Sequence, residues 1–167
     1  MATPEETYEL LEDDPLSWLE QARGAQMSAE LIRTALDAIR PLSQTLPNIR
    51  EKKLAYGHSF MLLTAIAFEN VLKGLAVAKK PKSWRSVGHR IAALAKKITT
   101  TSPAELDLLE RLEEYLVWAG RYLIPMTAKQ YAKKHDRRIL RAADRKIASA
   151  LFERLADELV ENTRQNA

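Results

Sequence analysis

Cysteine is absent from the 167 residues. Its absence excludes a disulfide framework, thiolate-bound zinc and a cysteine nucleophile, and it fits a reducing compartment. Glycine (5) and proline (7) are scarce, so few turns interrupt the chain and long helices are favoured over many short strands. The three histidines, His58, His89 and His135, are scattered among unclustered acids. Metal catalysis is therefore not expected, and no cofactor is predicted. Neither a phosphate-gripping glycine-rich loop nor a Gly-x-Ser-x-Gly elbow occurs. Long apolar runs are missing too. The longest, Phe60 to Phe68, lies between His58 and Glu69; it is too short to span a bilayer and reads as a core helix, with no membrane contact expected. The first residues carry Glu5, Glu6, Glu9, Glu12, Asp13 and Asp14. They do not read as a secretory signal or a transit peptide, and a cytoplasmic location is the expectation.

What is present is a globular balance of 46% hydrophobic and 29% charged residues, in a length that suits one domain with one core. The net charge of +4 is unevenly spread. Residues 1–30 hold eight carboxylates against Arg23 alone, residues 71–97 hold eight Lys or Arg and no acid, and residues 129–146 hold eight more against Asp136 and Asp144. Such segregation attracts polyanions. It equally allows an acidic arm to join a basic face within a fold or a dimer.

Apolar spacing and caps predict an all-α antiparallel bundle of five or six helices, with no period-2 strand. A first helix should start at Asp14-Pro15, with Asp as N-cap and Pro in the first turn, and end at Pro41. The second spans about Asn48 to Lys79; its centre is apolar nearly all round, which places it in the middle of the bundle. Gly88 should open a short helix carrying Ile91, Leu94 and Ile98. Ser102-Pro103-Ala104-Glu105 is a capping box that starts the next, and Gly120 is a plausible residue just past its end. A last helical stretch, broken near Asp136, runs to about Asn162.

Several side chains invite a chemical reading. Glu69 and Lys73 stand at i and i+4 on the apolar second helix, where a carboxylate needs a partner. They read either as an ion pair fixing helix register or as a paired acid whose free oxygen positions His89 or a ligand. His58 shares that helix face but lies three turns from Glu69, about 16 Å away, so it belongs to no common site. His89, predicted in the first turn of its helix, faces the positive end of the dipole. A neutral imidazole there suits a general base or a plain structural hydrogen bond. Trp118, Arg121 and Tyr122 fall together at a helix end. Arg with two aromatics grips a phosphate and stacks a base; the other reading is a core Trp with Arg121 capping free carbonyls. Lys129, Lys133, Lys134, Arg137, Arg138, Arg141 and Arg145 could track a phosphate backbone or form a solvated helix face.

Three stretches, Ala65-Ile66-Ala67-Phe68-Glu69-Asn70-Val71-Leu72-Lys73-Gly74-Leu75, Gly88-His89-Arg90-Ile91, and Leu116-Val117-Trp118-Ala119-Gly120-Arg121-Tyr122-Leu123-Ile124-Pro125, resemble in order and spacing the HEPN superfamily (higher eukaryotes and prokaryotes nucleotide-binding). The resemblance covers roughly residues 48–160. It implies a bundle core over 48–163, joined in one domain by residues 1–47 as an acidic segment and first helix, with 164–167 as a tail. It further implies an RNA- or nucleotide-binding module, frequently homodimeric, of the kind found in bacterial toxin–antitoxin or defence systems. Lys73, Asn70, Trp118, Tyr122, Lys133 and Arg137 would bind the ligand. None of the three histidines forms the family's ribonuclease signature, an Arg followed by four to six residues and His. The alternative is a metal-independent ribonuclease with His89 as base toward a ribose 2′-hydroxyl, Glu69 as its carboxylate and Arg121 stabilising the phosphorane charge. A third reading is a non-catalytic scaffold, the partner of a nucleotidyltransferase.

Overall fold

The computed structural model describes residues 3–42, 47–86, 88–119, 141 and 143–166. Among these the chain forms six α-helices and no strand: α1 (Pro4–Glu12), α2 (Pro15–Ile39), α3 (Ile49–Lys79), α4 (Ile91–Ile98), α5 (Pro103–Glu114) and α6 (Asp144–Gln165). A 3₁₀ turn covers Ser83–Ser86, and a π-turn, Tyr115–Ala119, extends α5.

Side-chain caps start three of these six helices. Asp14 accepts hydrogen bonds from the backbone N–H of Leu16 (3.1 Å) and Ser17 (3.0 Å) and is followed by Pro15. Ser102 and Glu105 form the reciprocal capping box at α5, satisfying two otherwise orphaned donors. A second box, Thr3 with Glu6, starts α1, a helix that the sequence reading omits. Two predicted boundaries move. α4 begins at Ile91, because Gly88 adopts a left-handed φ of 57° and makes a turn, a conformation open to a residue without Cβ. His89 therefore precedes the helix instead of lying in its first turn. At the other end α6 runs to Gln165, and Asn166, exposed, donates to the Ala78 carbonyl (2.9 Å), so Arg164 and Gln165 of the predicted tail continue the helix. The predicted break near Asp136 and the predicted end residue Gly120 lie outside the described residues.

α3 is the central element. It packs most extensively on α2 and also touches α4, α5 and α6. By length and composition it could cross a membrane, but 72% of its apolar window is buried inside the bundle, the property of a core helix. Its buried face includes Phe60, Phe68, Leu72 and Leu75, and Phe68 meets Phe152 of α6 edge-on at 6.1 Å. The crossing of α2, α3 and α6 is tight at Gly74. A Cβ there would lie 2.7 Å from Leu159 Cδ1 and 2.8 Å from Trp18 Cβ, so only glycine lets the three backbones approach this closely without repacking.

Arg111 and Asp144 tie α5 to the start of α6. Both are buried, and the guanidinium makes two bonds to the carboxylate at 2.7 and 2.5 Å. Asp144 also accepts from the Arg141 N–H (2.7 Å), and Asp107 accepts from both Arg111 (3.1 Å) and Arg141 (2.6 Å). Burial opposes the Arg111 charge, but the hydrogen bonds and field of Asp144, with Asp107, hold its pKa above the ordinary value. A fork-to-fork pair of this kind fixes orientation as well as charge.

Candidate functional site

Glu69, Lys73 and His89 meet at one point. One turn of α3 places the Lys73 ammonium 2.6 Å from Glu69 Oε1, with both side chains mostly buried. The turn after α3 carries the chain back so that His89 Nδ1 lies 3.0 Å from the same oxygen. A protonated Nδ1 donates to that carboxylate and leaves Nε2 open as an acceptor, the orientation a general base requires. The His89 side chain is 46% exposed, so a substrate could reach it.

Lys73 links this cluster to an aromatic cavity. Its ammonium lies 5.9 Å from the Trp18 ring centroid and 5.5 Å from that of Trp84, within cation–π range. The two indoles, from the start of α2 and the 3₁₀ turn, are 5.2 Å apart and inclined at 55°. Trp18 donates to the Glu12 carbonyl (2.9 Å). With Tyr8, Glu12, Glu20, Gln21 and Asn70 they line a cavity of about 400 Å³. The acidic N-terminal segment closes over this region. Glu12, buried, takes bonds of 2.5 to 3.2 Å from Arg85, and Asp13 accepts from the Lys82 N–H (2.9 Å). The Arg85 hydrogen bond, against the cost of burial, holds the Glu12 carboxyl below the usual carboxylate range, and Glu12 in turn raises Arg85. Part of the charge asymmetry is thus spent inside the fold, acidic arm on basic turn.

A second cavity, of about 460 Å³, lies elsewhere along α2 and α3, beside the start of α6. Arg33, Asp37 and Arg40 from the end of α2, and Arg141 and Arg145 from the start of α6, surround a floor of Phe60 and Leu36. Carboxylates hold three of the guanidiniums: Glu30 (3.2 Å) and Asp37 (2.8 Å) take Arg33, Asp107 takes Arg141, and Glu30 stands 3.7 Å from Arg145. Arg40 makes no ion pair among the described residues.

The structure therefore brings Glu69, Lys73 and His89 together and sets Asn70 on the wall of the adjoining cavity. Trp118 falls in the π-turn, whose backbone alone is described there. Arg121, Tyr122, Lys133 and Arg137 lie outside the described residues, as does His135. His58 is exposed and meets Tyr115 edge-on at 5.7 Å, away from Glu69. No group of three or more His, Asp or Glu suited to a metal ion occurs among the described residues. Sequence reading missed Trp18, Trp84, Arg33 and Arg40. Arg33 and Arg40 stand seven apart, two helical turns, which places them on one face of α2; the two tryptophans meet only through tertiary folding. No protein-family model, curated protein or solved structure matches this chain.

Proposed function

We propose that the chain is a HEPN-like helical module that binds RNA or a nucleotide, with the arginine cavity as its phosphate contact. The observation that carries this reading is the convergence of Arg33, Arg40, Arg141 and Arg145 on one cavity with an apolar floor. Guanidinium forks match phosphate oxygens in pairs, and the Phe60–Leu36 floor accommodates the apolar part of a nucleoside. Glu30 and Asp37 on Arg33, and Asp107 on Arg141, hold two of the forks by hydrogen bonds, which lowers the ordering cost of binding.

Short single-stranded RNA and a nucleoside triphosphate, titrated by fluorescence anisotropy and calorimetry, test it. Arg40→Ala and Arg145→Ala should each weaken binding by about tenfold, the loss of roughly 1.4 kcal/mol from a charge-assisted contact. For RNA, the salt dependence should fall by about 0.7 in slope per lost phosphate contact. Parent-like affinity in both variants, or salt-independent binding, sinks the reading.

One observation favours a catalytic version. With Nδ1 on Glu69, His89 has Nε2 free toward a ribose 2′-hydroxyl, as a metal-independent ribonuclease needs. Cleavage of short RNA in the presence of a chelator, abolished by His89→Ala, is the expected result. No cleavage by the parent chain would leave a binding module or a partner-holding scaffold.

A further inference from the structure

We propose that the aromatic cavity beside α1 binds an organic cation, an alkylammonium group carried on an apolar stem. The cavity is separate from the arginine cavity, and its electrostatics are opposite. Among the residues that line it are two carboxylates, Glu12 and Glu20, and no Lys or Arg. Glu5, Glu6 and Glu9 on α1, and Asp13 and Asp14 just after it, add to the negative charge of this N-terminal segment. Arg85 offsets Glu12, while Glu20 makes no ion pair among the described residues. A phosphate group would meet uncompensated negative charge there; a cation would meet attraction.

The walls supply the second half of the recognition. Trp18, Trp84 and Tyr8 give three aromatic surfaces within about 400 Å³, and tryptophan is the best ring for an ammonium ion. The same indole pair already accommodates one ammonium, that of Lys73, at 5.5 and 5.9 Å from the ring centroids. That charge is balanced by Glu69 at 2.6 Å, so it does not oppose a second cation at full strength. Tyr8 and Leu11, 57% and 53% exposed, offer apolar contact to a stem. The amides of Gln21 and Asn70 can take up an ammonium hydrogen through their carbonyl oxygens.

A neutral planar ring would also stack on the indoles, and the carboxylates decide between the two. The test uses the full chain, followed by tryptophan fluorescence and calorimetry. The probes are butyltrimethylammonium, spermidine and a short lysine-containing peptide, with adenosine as neutral comparator and inorganic phosphate as anion. The three ammonium probes should bind saturably and more weakly at high salt; adenosine and phosphate should not compete. Glu20→Gln, an exposed and structurally mild change, should weaken them several-fold. Trp84→Ala should weaken them by roughly tenfold, and Trp84→Phe by less, which separates ligand loss from misfolding. Tighter binding by spermidine than by the peptide assigns the group to a free amine, and the reverse to a partner's side chain; both uphold the proposal. Adenosine binding in preference to the ammonium probes overturns it. So does the absence of saturable binding, or an affinity unchanged in both Glu20→Gln and Trp84→Ala.

Discussion

At the scale of single residues, the centre of the candidate site is a shared oxygen. Glu69 Oε1 serves both Lys73 and His89, so removing the carboxylate leaves a mostly buried ammonium without its counter-charge. Glu69→Ala should cost about 3 kcal/mol, a fall in melting temperature of roughly 6–12 °C for a chain of this length. Adding Lys73→Met removes the stranded charge and should restore much of that loss, an outcome that thermal melts of the two variants check. Equal melting temperatures for the single and double variants would mean that Lys73 finds water once Glu69 is gone. The Glu69–Lys73 pair is legible in the sequence because i,i+4 neighbours on a helix meet whatever the tertiary fold. The approach of His89 is less so, since it depends on the turns between Pro81 and Arg90. Trp18 beside Trp84, and Arg33 beside Arg141, leave no local trace; only the assembled bundle makes them neighbours.

At the scale of elements, helix starts are the legible part. Asp14-Pro15 and the Ser102–Glu105 box announce α2 and α5, because caps are local hydrogen bonds written within four residues. α1 carries the same kind of box, Thr3 with Glu6, yet its Tyr8, Leu10 and Leu11 are all exposed, and so no buried apolar stripe marks it. What fastens α1 is an ion pair, Glu12 on Arg85, and, just beyond, a hydrogen bond from the Lys82 backbone N–H to Asp13. The Glu12 carboxyl is held below its ordinary range, first by the Arg85 hydrogen bond. A carboxyl whose folded pKa is lowered contributes stability above its unfolded pKa and loses it as pH falls through the folded value. Acid should therefore release α1 from the 3₁₀ turn. In thermal melts, the gap between the parent and Glu12→Gln should be open at neutral pH and close in strongly acidic buffer. A gap that stays constant across that range would remove the Glu12–Arg85 pair as the fastening.

At the scale of the whole molecule, the questions are where charge is spent and where apolar side chains stay exposed. The acidic arm neutralises the turn after α3 instead of remaining free. The apolar centre of α3, from Phe60 onward, finds its cover within the chain, so α3 gives no reason for a second copy. α2 does. Met27 and Leu31, one turn apart, are 70% and 73% exposed, on a helix whose opposite side packs along α3 through Ala22, Ala29 and Leu36. Large apolar side chains left together on one solvent face favour an isologous contact, in which the same stripe on two copies covers itself. A homodimer through α2 is the expected state, and sedimentation at micromolar concentration should give twice the chain mass of 18.9 kDa. Leu31→Glu would set two like charges close together across the two-fold axis. It should return the protein to monomer with its helical circular dichroism intact, because the side chain lies on the surface. A parent chain that sediments as monomer sinks the dimer. A dimer that persists in Leu31→Glu moves the contact off α2.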